Sequence, residues 1–270
     1  MPSARDRALA ILELLAHHPR GLPLMEVADR LALPRSATHR VLADLKDSGH
    51  VRQLREGGDY VLTAKIVSIA LAYLEGNGIT DIAQPILDEL ATESGELVRL
   101  AVIDGERLTW VAKAQGARHG LRYDPDAGLE VYLAATANGY AWLSCLSDDA
   151  ALELVAKQGF KREGFGPTAP RTLAELMVHV HRARERGYGV VHEGYEVGTS
   201  AIAAAIRKSP SSDPIGTISI AGPSARMTAA RMEELAPRLI ASAKALAAAS
   251  GGSALFNSSR PVAGNLTAAE

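Results

Sequence analysis

Cysteine is almost absent from this chain, and so is any long apolar run. The one cysteine among 270 residues, Cys145, excludes an internal disulfide and a zinc site built from several cysteines. No stretch of about 18 apolar residues is present, as a membrane-spanning helix would require. The opening residues MPSARDRA also lack the apolar core of a secretory signal. We therefore expect a cytoplasmic protein that makes no contact with a membrane.

A strong excess of one charge is lacking too. The formal net charge is −2, which gives no reason to expect a protein that coats polyanions or membrane surfaces. Hydrophobic residues make up 47% and charged residues 22%, as is usual for a soluble globular protein. A chain of this length can form two domains, each with its own core.

Residues 1–62 have the pattern of a winged helix-turn-helix. Two helical segments carry apolar residues at i, i+3, i+4 and i+7, and Pro34 favours a break before a third helix. Ser48-Gly49 is typical of the end of that helix, and Gly57-Gly58 is typical of a hairpin turn. The apolar positions are Ala8, Ile11, Leu12 and Leu15 in the first helix, Leu24, Val27, Ala28 and Leu31 in the second, and Ala37, Val41, Leu42 and Leu45 in the third.

The polar residues of the third helix and of the hairpin predict contact with double-stranded DNA. We expect Arg35, Thr38, His39 and Arg40 to reach base edges in the major groove. Ser36, Arg52 and Arg55 are expected to contact phosphates. Nine Lys and Arg against eight Asp and Glu in this region predict specific binding rather than nonspecific binding. The alternative is a three-helix structural cap with solvated charges.

A helical stretch rich in small and apolar residues follows over residues 63–79. It has little polar face, so something must cover it. It either packs on its own domain or is a linker helix that packs on a partner subunit.

Residues 80–250 predict an α+β domain, a mostly antiparallel sheet flanked by helices. LVRLAVID and RLTWVAKAQG form a hairpin pattern around Gly105, and GLRYD predicts a further strand. The remaining predicted elements are helices over 131–147, 148–158, 172–187 and 228–249, and strands in YGVVHEGYEVG, SAIAAAIRK and PIGTISIAGP. Residues 251–270 are rich in Ser, Gly and Asn and predict a mobile tail.

From Arg7 to Ala249 the chain resembles the IclR family of bacterial transcriptional regulators. The resemblance rests on RALAILELL, LALPRSATHRVLADLKDSGHV, YVLT, LAATANG, RERGYGVVHEGYEVG and GTISIAGPSARMT, in the same order and spacing. It implies a winged helix-turn-helix, a linker helix and a GAF-like effector-binding domain. It also implies homodimers, often paired into tetramers, that bind palindromic operators under the control of a small molecule, with no cofactor.

The resemblance also implies an effector site on the concave face of the sheet. Its helix start corresponds to Thr136, Ala137, Asn138 and Gly139. A position that often holds cysteine in the family is Ala201 here, and a Ser-x-Ser pair falls on Ser219 and Ala221. A family acid falls near Val191, while Glu193 keeps the next one. The loss of these polar groups disfavours a small, highly polar oxoacid, whose groups would remain unpaired.

We therefore expect an effector with an aromatic or apolar body and one polar end, as part of a repressor that controls a catabolic gene cluster. Trp110, Tyr123 and Tyr132 are candidates for lining the pocket. Each of them is also a candidate for core packing or for a dimer surface. Arg99, Arg122 and His119 are candidate polar anchors or solvated surface residues.

An enzyme is the other class considered. Its candidate acid-base or metal-binding residues are Asp104, His179, His181, His192 and Glu193. The two helical histidines at i, i+2 point to different faces, and His192 and Glu193 on a strand point to opposite sides. No nucleophile elbow, phosphate-binding loop or HExxH pattern is present. Cys145 lies among apolar residues, which favours a buried role.

Overall fold

The computed structural model describes residues 3–77, 79–125, 129–161 and 163–252. The chain divides into two compact units between Gly76 and Asn77. The predicted mobile tail falls almost entirely outside the described residues; its first two residues end a 3-10 turn over Ser250–Gly252.

The N-terminal unit is a three-helix core with a two-stranded wing. Its elements are α1 (Ala4–Ala16), α2 (Leu24–Arg30), α3 (Arg35–Asp47), β1 (Val51–Gln53), β2 (Tyr60–Leu62) and α4 (Ala64–Asn77). The predicted periodicities are confirmed, because Ile11, Leu15, Val27, Leu42 and Leu45 pack into one buried cluster. That cluster fixes which face of α3 is left for contact with another molecule.

The turn between α2 and α3 is tight. Ala32 has a φ of 51°, a left-handed conformation that is uncommon for a residue with a Cβ. The backbone N–H of Leu33 donates to the carbonyl of Ala28 at 2.9 Å, which closes the turn. Pro34 then takes the N-cap position of α3, which confirms the predicted break before the third helix.

The C-terminal unit is an antiparallel five-stranded sheet with helices on both faces. Its elements are α5 (Ile79–Ser94), β3 (Leu97–Asp104), β4 (Arg107–Gln115), α6 (Ala137–Leu143), α7 (Asp148–Gln158), α8 (Leu173–Arg186), β5 (Gly189–His192), β6 (Thr199–Ile206), β7 (Gly216–Pro223) and α9 (Ala229–Ala249). The strand order is β4-β3-β7-β6-β5. Every residue of β7 is buried, which requires cover on both faces. Helices α5 and α9 pack together on the sheet, and α6 packs against β5, β6, β7 and α8.

Two predictions in this unit are wrong. GLRYD, residues 120–124, is not a strand; instead Glu130 bridges to Thr109 at the edge of the sheet. The helix predicted over 131–147 is shorter, because Thr136 caps α6 by accepting a hydrogen bond from the backbone N–H of Gly139. A Cβ at Gly139 would lie 2.1 Å from the carbonyl oxygen of Leu133, so glycine permits this close approach.

None of the helices in the described part of the chain is long and apolar enough to cross a membrane.

Candidate functional site

The first half of α3 presents a polar face. Arg35, Ser36, His39 and Arg40 are exposed, while Val41, Leu42 and Leu45 are buried on the opposite side. Within residues 3–77, neither arginine of this face takes part in an ion pair, so both guanidinium groups are available to another molecule. The acidic residues Asp44 and Asp47 lie in the last turns of the helix, away from this basic half.

Thr38 corrects one prediction. Its side chain is fully buried, and its hydroxyl donates to the carbonyl of Pro34 at 3.1 Å. A base contact is therefore wrong for Thr38, because the hydroxyl faces the domain core. The periodicity already hinted at this, since Thr38 is three residues before Val41 and four before Leu42.

The wing carries the other two predicted arginines. Arg52 lies in the middle of β1, and Arg55 lies in the turn that follows; both are exposed. The turn is held by Gln53, whose side-chain amide donates to the carbonyl of Gly58 at 3.0 Å. Leu22 pairs with Tyr60 as an additional antiparallel bridge, which joins the wing to the segment before α2 and which the sequence did not predict.

Apart from the half-buried Ile66, the α4 side chains that the structure describes are exposed. Val67 is 56%, Ile69 is 54% and Leu71 is 53% exposed, although all three are large and apolar. Cover by its own domain, the first alternative for this segment, is therefore not observed for these side chains.

The C-terminal unit contains a small cavity between the sheet and α6. Its free volume is about 30 Å³, room for about two water molecules. The lining residues are Arg99, Tyr123, Thr136, Ala137, Asn138, Val191, Tyr195, Thr199, Ser200, Ala201 and Ala221. Strand register brings the lining residues of the sheet together. Ala201 on β6 pairs with Ala221 on β7, and Arg99 on β3 pairs with Ser219, which lies two residues before Ala221 on β7.

Arg99 dominates the electrostatics of this cavity. It is only 7% exposed, and its guanidinium carbon lies 3.8 Å from the centroid of the Trp110 ring and 5.8 Å from that of Tyr123. Burial lowers the pKa of Arg99 from its ordinary value, while Tyr123 acts in the opposite direction. Burial also raises the pKa of Tyr123. The candidate anchor Arg99 is thus a buried residue and not a solvated one.

The other predicted effector residues are distributed over different places. Thr136, Ala137, Asn138, Tyr123, Ala201 and Ala221 border the cavity, and their role in binding stays a prediction. Trp110 is buried against Arg99 and does not border the cavity. Ser219 and Glu193 are also outside the lining. Arg122 pairs with Asp124, and His119 lies exposed in a loop; neither borders this cavity.

Tyr132 belongs to an outer cleft of about 610 Å³. Its ring stacks on Phe165 with centroids 4.6 Å apart, and Phe165 in turn lies 5.7 Å from Tyr195. Tyr195 borders both the outer cleft and the small cavity. Tyr195 thus links the aromatic side chains of the outer cleft to the small cavity.

Sequence reasoning missed Tyr195, Thr199 and Ser200 as cavity residues. Thr199 and Ser200 directly precede Ala201 on β6, so a wider window around that position would have found them. The hydroxyl of Ser200 lies 2.7 Å from Nδ1 of His192 and 2.8 Å from the hydroxyl of Ser224, which fixes its position.

Three of the residues considered for enzyme chemistry, His179, His181 and Cys145, have structural partners. His181 pairs with Asp148 at 2.8 Å, and His179 stacks on Tyr140 at 5.0 Å. Cys145 donates to the carbonyl of Ala141, and burial raises the pKa of its thiol, which disfavours a nucleophilic thiolate. Among the described residues, no cluster of three or more His, Cys, Asp or Glu could hold a metal ion.

Comparison with known proteins gives consistent results over both units. The family model "Bacterial transcriptional regulator IclR C-terminal" matches residues 71–248, and the IclR helix-turn-helix domain matches residues 4–55. The transcriptional repressor IclR of Escherichia coli is 30% identical over 253 residues, which cover 91% of this chain and 89% of that protein. The repressor AllR of Salmonella typhi is 29% identical, over 83% of this chain and 81% of its own length.

Solved structures show the same fold. An IclR transcriptional regulator from Alicyclobacillus acidocaldarius superposes with a TM-score of 0.79 at 22% identity, covering 93% of this chain and 100% of that one. An IclR homolog from Microbacterium hydrocarbonoxydans, complexed with 4-hydroxybenzoate, superposes with a TM-score of 0.74 at 19% identity, again covering 93% and 100%. The predicted α+β architecture with a helix-turn-helix unit is confirmed.

Proposed function

This chain belongs to the IclR family of bacterial transcriptional regulators, and from that premise we propose that a small-molecule effector controls its binding to operator DNA. The relatives are named transcriptional repressors, so the chain is a DNA-binding regulator and not an enzyme. The observation that carries the proposal is the exposed, unpaired basic face of α3 opposite a buried apolar face.

In the proposed complex, α3 lies in the major groove. Arg35, His39 and Arg40 read base edges, where arginine pairs with the O6 and N7 atoms of guanine. Ser36 contacts a phosphate near the start of the helix, and Arg52 and Arg55 contact phosphates from the wing. The base contacts supply sequence preference, and the phosphate contacts supply register and salt dependence.

The proposed effector has an aromatic or apolar body and a polar end. Support comes from the tyrosine rings of Tyr123 and Tyr195, which border the cavity beside polar groups. A structural neighbour that is complexed with 4-hydroxybenzoate is consistent with this class of ligand. We further propose that the regulated genes form a catabolic cluster.

Control by a ligand requires that the ligand binds two arrangements of the protein with different affinity. We propose that the chain acts as a homodimer or as a pair of dimers, with α4 as the contact between subunits. Support comes from the exposed apolar side chains of that helix. A dimer presents two recognition helices and so matches a palindromic operator.

The test is a titration of the full chain against the DNA upstream of its own gene at two salt concentrations, read by gel shift. We expect competitor-resistant binding that weakens as salt rises. Arg40→Ala should cost about 1–3 kcal/mol and relax the preference for one base pair. Arg52→Ala should weaken binding to every sequence and reduce the salt slope by about one.

Lys46→Ala is the matched control, because it removes one positive charge from the last turn of the same helix. Its operator affinity should stay within about twofold, equivalent to about 0.4 kcal/mol. An equal loss of operator affinity in all three variants would mean that affinity depends on total positive charge and not on the exposed face of α3, and the proposed docking would be wrong.

A further inference from the structure

Arg99 is a buried charge without a counter-charge. It is more than nine-tenths buried, and its Nε has no hydrogen-bond partner in the structure. No ion pair within the described part of the chain includes it. Since an arginine side chain stays protonated in proteins, this charge is held away from water without an anionic partner among the described residues.

The surroundings of Arg99 are aromatic and neutral. Trp110 lies against one face of the guanidinium, and Tyr123 lies farther away. Among the described lining residues of the cavity, Arg99 alone carries a charge, and the others are hydroxyl, amide, aromatic or aliphatic. Ring faces attract a cation, and the hydroxyl of Tyr123 gives the guanidinium a neutral hydrogen-bond partner, but neither supplies a counter-charge.

The cavity beside Arg99 has the size of an anionic head group. A free volume of about 30 Å³ holds about two waters and therefore the oxygens of one carboxylate. A guanidinium presents parallel N–H donors that match the two oxygens of a carboxylate. The cavity beside Arg99 therefore has the volume, the charge and the hydrogen-bond donors to bind a carboxylate.

We propose that Arg99 binds a carboxylate of the effector and so makes the C-terminal unit selective for monocarboxylate ligands over their neutral analogues. This inference deepens the proposed function and rests on it, since the cavity is the proposed effector site. Tyr195 lines both this cavity and the outer cleft, and in the proposed complex the body of the ligand extends toward that cleft.

The test uses the full chain and simple probes: sodium formate, sodium acetate and sodium benzoate, each against sodium chloride at equal ionic strength, and benzamide as the neutral analogue of benzoate. The readouts are the melting temperature and the tryptophan fluorescence, because Trp110 is one of only two tryptophans and contacts Arg99. We expect a saturable response to the carboxylates and none to benzamide.

Arg99→Met should lower the affinity for benzoate at least tenfold. It should also leave the melting temperature of the ligand-free protein equal or higher, because an uncompensated buried charge is removed. Arg99→Lys should retain part of the response, and it serves as a second variant if Arg99→Met folds poorly. Arg122→Met is the matched control, since Arg122 is exposed and paired with Asp124, and it should respond like the wild type.

Several results would overturn the inference. One is a wild type that responds to no carboxylate beyond chloride. Another is an Arg99→Met variant with an unchanged response. A third is an Arg99→Met variant that melts lower and keeps its affinity, which would make Arg99 a structural stacking residue.

Operator binding, measured separately with and without benzoate, distinguishes this inference from the proposed function. Carboxylate binding that depends on Arg99 and leaves operator affinity unchanged would support Arg99 and contradict effector control. A benzoate-dependent change in operator affinity that persists in Arg99→Met would support effector control and contradict the proposed role of Arg99.

Discussion

At the scale of single residues, Thr38 and Ser36 are a structural position and a proposed contact position on the same helix. Thr38 is buried with its hydroxyl on the Pro34 carbonyl, while Ser36 is exposed two residues earlier. Thr38→Val should lower the free energy of unfolding by about 1 kcal/mol, because one buried hydrogen bond is lost. The Thr38→Val variant should keep the wild-type order of affinities for operators that carry single base-pair substitutions.

Ser36→Ala is the complementary variant. Its unfolding curve in urea should match the wild type, and its affinity should fall by a similar factor on every operator variant, as for a phosphate contact. An altered base preference in Thr38→Val at one operator position would contradict the buried placement of this residue.

The family resemblance placed Thr136, Ala201 and Ala221 at the effector site, and all three border the cavity, but it did not indicate how deeply the candidate polar anchors are buried. Arg99 and Arg122 looked alike in the sequence. In the structure one is covered by Trp110 and Tyr123 and the other pairs with Asp124 at the surface. Trp110 lies in β4 and Tyr123 in a loop, both too far from Arg99 in the sequence for a local pattern to indicate the contact. Tyr195 was missed for the same reason.

At the scale of elements, periodicity predicted the helices with strong apolar stripes and the strands with turn residues between them. The end of α8 at Gly187, with a φ of 84°, follows the expected left-handed cap. The failures are short segments: GLRYD has a strand-like composition but no partner strand, and Leu22 pairs with Tyr60 across nearly 40 positions of the chain. Pairing over such a distance depends on tertiary packing and not on local propensity.

Helix α8 gives the chain a pH-dependent contact. His179 stacks on Tyr140, and burial, followed by the charges of Arg182 and Arg186, lowers the pKa of His179 below its ordinary value. The unfolded chain then binds more protons than the folded chain between the folded pKa and about 6.5, so stability falls as the pH drops through that window.

The melting temperature should therefore decrease between pH 7 and pH 5, and His179→Gln should make this decrease smaller. His119→Gln, a change at an exposed loop histidine, should keep the wild-type slope. Equal slopes in all three proteins would show that the stacked imidazole does not control the pH response.

At the scale of the whole molecule, the question is what covers α4. Val67 and Leu71 are four residues apart and share one face of the helix, whereas Ile69 lies on the opposite side, so these exposed side chains do not form a single stripe. A helix that is apolar all round is stable in water only when other elements bury it. The proposed second copy of the chain would satisfy this need and would bring two recognition helices together.

We therefore expect the full chain to be at least dimeric by analytical ultracentrifugation, and we expect Ile69→Glu with Leu71→Glu to weaken the assembly at least tenfold. Each of these side chains contributes about 1.5–3 kcal/mol when buried, which two carboxylates would remove. Circular dichroism should show that the variant stays folded, because neither side chain contributes to the N-terminal core.

The matched control is Val197→Glu, which places a carboxylate at another exposed apolar residue, 69% exposed, outside α4. Since a monomer contacts only one half-site, the α4 variant should also lose most of its affinity for a palindromic operator and keep its affinity for a single half-site. A wild type that sediments as a monomer, or an α4 variant that still sediments as the wild type does, would assign the exposed apolar residues to some contact other than the one between subunits.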